Sequence, residues 1–126
     1  MGTVLARVDD LFFQARIAAT AKQVGVELKT FGTAEALVRA AVATAGAGGE
    51  ALSGGELIVI DLNARADAVG ALNLLREAGN QTPVVAFLSH VQTELAERAR
   101  AAGCTEVMPR SKFTQDLAAI LGRAKK

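Results

Sequence analysis

Residues Leu57-Ile58-Val59-Ile60-Asp61-Leu62-Asn63 limit the fold of this chain more sharply than any other stretch. Four successive β-formers without polar alternation call for a strand covered on both faces. Strands of that kind belong to parallel sheets flanked by helices. The run then meets Asp61. An ionised carboxylate is costly inside such a strand but suits its C-terminal tip, where parallel α/β sheets bind their ligands.

The rest of the chain supplies the partners such a strand needs. Thr3 to Val8 reads as a strand and ends in Asp9-Asp10. A helix follows to about Val24, with Asp10 as its N-cap, Phe13, Ile17, Ala21 and Val24 as its apolar stripe, and Gly25 as its stop. Val26 to Phe31 alternates as a half-exposed strand near an edge. Thr33 caps a second helix bearing Leu37, Val38 and Ala41. Residues 46–55 hold five glycines and read as a flexible connection. A phosphate cradle is not expected there, because no Gly-Lys-Ser/Thr follows and the next element is a strand.

Beyond Asp61, a helix is predicted from Asp67 to Ala78, with Val69, Leu72 and Leu75 inward and Gly79 as its stop. Pro83 to Leu88 is a second buried strand. Ser89 to Gln92 has capping-box spacing and opens a helix carrying Leu95, Ala99 and Ala102, stopped by Gly103. Glu106 to Met108 is a short last strand closed by Pro109. Ser111 is expected to cap a final helix with Phe113, Leu117, Ile120 and Leu121. Five strands thus alternate with five helices. Helix-length crossovers require parallel pairing and right-handed connections. The expected fold is a single α/β domain over residues 1–126, a flavodoxin-like three-layer sandwich with strand order 2-1-3-4-5.

Composition narrows the function. The formal net charge is +1, which gives no electrostatic case for nucleic acid or an anionic membrane. Trp and Tyr are absent and aromatic content is low, which weakens any reading that needs base-stacking platforms. No apolar run approaches the roughly 20 residues of a membrane span. Met1 to Asp10 lacks the basic and apolar regions of a secretory leader. The single cysteine, Cys104, cannot form an internal disulfide, which fits a reducing cytoplasm; it reads as a small buried thiol.

In the order 2-1-3-4-5 the first and third strands are neighbours. Asp9, Asp10 and Asp61 then crowd one edge, and like charges so placed repel. A divalent cation relieves that repulsion. Mg2+ takes one or two carboxylates, a carbonyl and several waters, and the backbone carbonyl of Asn63 is placed to contribute. Core packing is the plain reading of Leu11 and Phe12; because Phe13 takes the inward stripe, the alternative is that one of them stays partly exposed beside this edge as a partner-docking surface.

Val8-Asp9-Asp10 before a helix, Ile60-Asp61 ending the third strand, Pro83-Val84-Val85 opening the fourth, and Ala102-Gly103 before the last strand resemble the receiver domain of bacterial response regulators. The resemblance spans almost the whole chain. It implies that Asp61 accepts a phosphoryl group from a histidine kinase in a two-component phosphorelay. It also implies that Asp9 and Asp10 bind Mg2+ and that Asn63 supplies a carbonyl ligand. A carboxylate can act as a nucleophile toward phosphorus, and cations neutralise the charge that develops.

The chain departs from the family pattern at three places. The family's Thr or Ser at the end of the fourth strand falls on Leu88, with Ser89 one residue late. Ser89 serves the phosphoryl site only if the strand bulges; otherwise it caps the next helix. The family's Lys-Pro after the fifth strand becomes Pro109-Arg110, then Ser111-Lys112. Arg110 takes the Lys position by count, and Lys112 takes it only if the loop shifts. The fifth-strand aromatic falls on Val107.

The expected function is therefore a stand-alone receiver-like signalling protein, since no output domain follows Lys126. Its output would come by binding a signalling partner, and homodimer formation is open. It is not an enzyme beyond its own phosphorylation and dephosphorylation. The alternative is an atypical receiver, a pseudo-receiver that keeps the fold as an interaction module without the phosphorylation switch. A nucleotide-binding enzyme is disfavoured because no Gly-rich loop follows the first strand.

Overall fold

The computed structural model places the apolar run at the centre of a five-stranded sheet. The structure describes residues 3–8, 10–46, 56–62, 68–77, 82–88 and 93–125. In chain order the elements are β1 (Thr3–Arg7), α1 (Leu11–Val24), β2 (Glu27–Thr30), α2 (Ala34–Gly46), β3 (Glu56–Asp61) and α3 (Ala68–Glu77). Then come β4 (Val84–Leu88), α4 (Thr93–Ala101), β5 (Glu106–Pro109), α5 (Arg110–Gln115), α6 (Leu117–Gly122) and a 3-10 turn (Arg123–Lys125). The strand order is β2-β1-β3-β4-β5, and every pairing is parallel. This is the doubly wound arrangement that the apolar runs require.

The period-two pleat divides the core into two layers. Val4, Ala6, Val8, Leu57, Val59, Val85 and Phe87 share one layer with Phe13, Ile17 and Ala21 of α1 and with Phe113, Leu117, Ile120 and Leu121 of α5 and α6. Leu5, Ile58, Ile60, Val84, Ala86 and Leu88 face the other way, against Leu37 and Ala41 of α2, Leu72 and Leu75 of α3, and Ala99 of α4. Both faces of β3 and β4 are therefore dry, which explains their unbroken apolar sequence. The alternating strand β2 lies at the sheet edge, with Glu27, Lys29 and Thr30 exposed.

Local signals act where the sequence places them. The Oδ1 atom of Asp10 accepts the N–H groups of Phe12 (2.9 Å) and Phe13 (3.2 Å) and caps α1. Thr33 Oγ1 accepts from the Ala36 N–H at 3.0 Å and caps α2. Gly25, at φ 82°, closes α1 in the left-handed conformation. Gly103, at φ 105°, turns the chain from α4 toward β5. Arg76 of α3 reaches that turn, donating to the Gly103 carbonyl and, at 3.5 Å, to the Thr82 carbonyl before β4. The expected stop at Gly79 lies outside the described residues.

Two expectations need correction. The final helix is two helices, so the described residues hold six in place of five. The backbone opens at Asp116 (φ −102°, ψ 14°), a short polar residue with weak helix propensity. Hydrogen bonding continues across the opening, from the Asp116 N–H to the Lys112 carbonyl and from the Ile120 N–H to the Asp116 carbonyl. The inward stripe from Phe113 to Leu121 stays continuous. Ser111 does not cap this helix. Helix α5 starts at Arg110 behind Pro109, which has no side-chain cap to offer.

Candidate functional site

The C-terminal tips of β1, β3, β4 and β5 form the edge where the sequence places its carboxylates. Asp61 is the last residue of β3, directly opposite Phe87 of β4, and is 7% exposed. The Leu62 N–H donates to the Phe87 carbonyl at 2.9 Å and fixes the strand just past the acid. Following Leu57 and Val59 in the pleat, Asp61 lies on the α1–α5–α6 side of the sheet.

Asp10 stands on that same side, at the start of α1. Gln14 ties α1 to the residue after β1: its side-chain amide donates to the Val8 carbonyl while its backbone N–H donates to the Asp10 carbonyl at 2.9 Å. While Oδ1 of Asp10 caps the helix, Oδ2 accepts from Arg110 Nη2 at 2.8 Å. The Arg110 hydrogen bond first, and then the Phe13 amide, hold the Asp10 carboxyl below its usual value of 3.8; desolvation opposes them, and the Phe12 amide adds a smaller downward pull.

Arg110 has a second support. Its guanidinium carbon lies 4.2 Å from the centre of the Phe13 ring. That ring meets Phe87 edge-on at 5.2 Å and Phe113 at 5.9 Å, and Phe87 stacks on Phe113 at 4.6 Å. An apolar cluster from α1, β4 and α5 thus underlies the acidic edge and carries a cation on its rim. Lys112 turns elsewhere, pairing with Asp116 at 2.9 Å one helical turn on. Of the two basic residues considered for the family's Lys position, Arg110 is the one that pairs with Asp10.

Leu88 ends β4 at 3% exposure, and Val107 of β5 is half-buried. Together with Thr93, Ala96, Arg100, Met108 and Pro109 they line an open cavity of about 170 Å3. An aliphatic pair therefore occupies the positions where the resemblance calls for a hydroxyl and an aromatic ring. Leu11 and Phe12 are both exposed, at 75% and 91%, because Phe13 alone takes the inward direction.

Asp9, Asn63, Ser89 and His90 lie outside the described residues. Among the described residues no group of three or more His, Cys, Asp or Glu side chains gathers as a metal centre. No helix of the described residues is long and apolar enough to cross a membrane.

Sequence reasoning overlooked two features. The support of Arg110 by Phe13 joins residues far apart in the chain, and no local pattern announces it. Arg7 is 4% exposed near the end of β1, on the sheet face opposite Asp61, with Leu5. Its signal was legible, since a charged residue interrupts an apolar strand.

Comparisons with known proteins bear on the fold. No family model matches the chain, and no curated protein matches it. Solved structures do. FixJ-N superposes with a TM-score of 0.78 at 19% identity, covering 98% of this chain and 93% of that one. A response regulator receiver domain from Rhodospirillum rubrum superposes at 0.73 with 18% identity, covering 95% and 91%. The beryllofluoride-activated NtrC4 receiver domain dimer superposes at 0.72 with 16% identity, covering 99% and 100%. The fold of this chain is the response regulator receiver fold.

Proposed function

We propose that the protein is a receiver-type signalling module of the cytoplasm, working in a two-component phosphorelay, whose phospho-acceptor is Asp61. One observation carries the reading: in a receiver fold, Asp61 ends the central strand, on the sheet face where Asp10 opens α1 and pairs with a basic residue, Arg110. An Asp61 carboxylate oxygen attacks phosphorus to form an acyl phosphate. The bond from phosphorus to the donor breaks, and its electron pair leaves with the imidazole nitrogen of a kinase phosphohistidine or with the carboxylate of acetyl phosphate.

The donor set fits Mg2+: Asp9, Asp10 and Asp61 offer hard carboxylate oxygens, and Asn63 a carbonyl. Mg2+ bound there would neutralise charge on the transferring group. Arg110 supplies a further positive charge, and Ser89 a hydroxyl if the end of β4 bulges. The protein is a signalling partner of other proteins and not an enzyme in its own right.

The test uses the whole chain with Mg2+ and acetyl phosphate, followed by intact mass. One added phosphoryl group is expected, absent in Asp61→Asn. A wild-type protein that gains no mass, and shows no Mg2+-dependent NMR shift with beryllofluoride, would remove the phospho-acceptor reading.

The pairing of Leu88 with Val107 in one apolar cavity favours a second reading. In it the protein is a phosphorylation-independent pseudo-receiver that binds its partner through the fold alone. That reading expects Asp61→Ala to fold and to keep its partner affinity. A large loss of affinity in that variant counts against it.

A further inference from the structure

We propose that Arg110 is a resident counter-ion of the acidic edge, held on Asp10 by the ring of Phe13, and that a divalent cation gains Asp10 only by displacing it. This rests on the reading of Asp10 as a metal ligand and concerns how that site is regulated.

The competition is for a single atom. Asp10 Oδ1 is committed to the α1 cap by the Phe12 and Phe13 amides. The other oxygen, Oδ2, is the one left to meet a cation, and Arg110 Nη2 already donates to it at 2.8 Å. Guanidinium and metal are both positive, and the ligand atom cannot serve both fully.

The guanidinium is fixed from a second side by the Phe13 ring, 4.2 Å from its carbon. A planar guanidinium can lie over an aromatic face while its edge forks toward a carboxylate; a compact ammonium matches that double contact poorly. The ring is itself immobilised, buried and wedged edge-on against Phe87 and Phe113. Arg110 sits at the first position of α5, behind Pro109, so its backbone is also held.

Displacement nevertheless remains accessible. The Arg110 and Asp10 side chains are 34% and 40% exposed, and a half-exposed ion pair is weak enough for a divalent ion to break. Once released, Arg110 is free to meet the phosphoryl oxygens at Asp61. Phe13 is thus a positioning residue. Its ring sets the cation concentration at which the edge exchanges its internal charge for a metal.

The test is a Mg2+ titration of the full chain, by calorimetry and NMR, in wild type, Arg110→Gln, Phe13→Leu and the double variant. Arg110→Gln is expected to bind Mg2+ about fivefold to tenfold tighter, the scale of losing one half-exposed pair and one cation–π contact. Phe13→Leu should tighten binding less, and should add nothing in the Arg110→Gln background. Wild-type Arg110 side-chain protons should show a ring-current shift that disappears as Mg2+ saturates, a readout that does not depend on how well Phe13→Leu folds. Equal Mg2+ affinity in wild type and Arg110→Gln overturns the proposal and leaves the phospho-acceptor reading standing. Absence of Mg2+ binding in every protein, Arg110→Gln included, overturns this proposal and the metal site together.

Discussion

Arg110 and Asp10 are 100 residues apart in the chain and 2.8 Å apart in space. The pair joins the start of α1 to the start of α5, at the edge of the sheet that carries Asp61. Asp10 therefore holds a helix end and a cation at once. A substitution there disturbs both the α1 start and the charge balance of the site, and the two effects must be separated.

Asp10→Asn separates them, because Asn remains a good N-cap while losing the charge. The folded-state pKa of Asp10 is lowered from 3.8, chiefly by Arg110. A lowered carboxylate pKa contributes stability above the unfolded value, and that stability is lost as pH falls through the folded value. The stability difference between wild type and Asp10→Asn should be constant near neutrality. It should shrink as pH drops below about 4 and vanish once Asp10 is protonated in both states. Urea midpoints across that range read it directly. A difference that grows on acidification would mean that Asp10 is not held ionised by Arg110.

Gly103 is the most restrictive glycine at the opposite end of the sheet. It lies at φ 105°, and an added Cβ would stand 2.5 Å from Arg76 Nε and 2.8 Å from Arg76 Cγ. Gly103→Ala should cost about 2–4 kcal/mol, from backbone strain and from hydrogen bonds that Arg76 loses as it moves aside. In an Arg76→Ala background the penalty should fall toward the strain component alone, about 1–2 kcal/mol. Denaturant unfolding of the four proteins gives the coupling. Full additivity would show that Arg76 is not what the new methyl group strikes.

Much of this fold was legible because punctuation and patterning agree. Gly25 and Gly103 stop helices, Asp10 and Thr33 start them, and the apolar runs of β3 and β4 admit only a doubly covered sheet. Asp61 could be placed at a strand tip for the same reason: a carboxylate ending such a run has nowhere else to go. Which of Arg110 and Lys112 meets Asp10 was not legible, because that contact spans 100 residues, although the i,i+4 spacing of Lys112 and Asp116 already announced their pair. The opening at Asp116 was hidden because the apolar stripe runs through it unbroken. Leu11 and Phe12 read first as core residues, yet both are exposed, because the 100° turn per residue sends only Phe13 inward. Arg7 was visible as an intruder in an apolar strand, but which sheet face it occupies depends on register.

The aromatic cluster under the acidic edge should dominate the stability of that layer. Phe113 is fully buried, stacked on Phe87 and edge-on to Phe13. Phe113→Ala removes a ring from a closed site and should cost about 3–5 kcal/mol, a large share of the 5–15 kcal/mol typical of such a domain. Phe113→Leu keeps most of the volume and should cost much less. Urea unfolding with an unchanged m-value tests both. A loss below about 1 kcal/mol for Phe113→Ala would mean that α5 closes over the gap.

Cys104 should be chemically silent in the folded protein. Its thiol is buried behind β4 and β5, within reach of the Glu106 carbonyl at 3.0 Å and the Val84 carbonyl at 3.4 Å. Burial pushes its pKa above the ordinary 9.0, outweighing the opposing pull of neighbouring amides and of Arg76 and Arg100. Since the thiolate is the nucleophile, access and ionisation are both suppressed. At mildly alkaline pH, when labelling waits for a global opening of about 5 kcal/mol or more, iodoacetamide should label the native chain at least several thousandfold more slowly than the urea-unfolded chain. Because the folded pKa is raised, the unfolded thiol ionises first. The associated stability is complete below pH 9 and declines as pH rises through the folded value. Cys104→Ala should lack that alkaline decline, so the stability gap between the two proteins should move in the variant's favour above about pH 9. Rapid labelling of the native protein would place the thiol at an opening of the α4–β5 turn and not in the core.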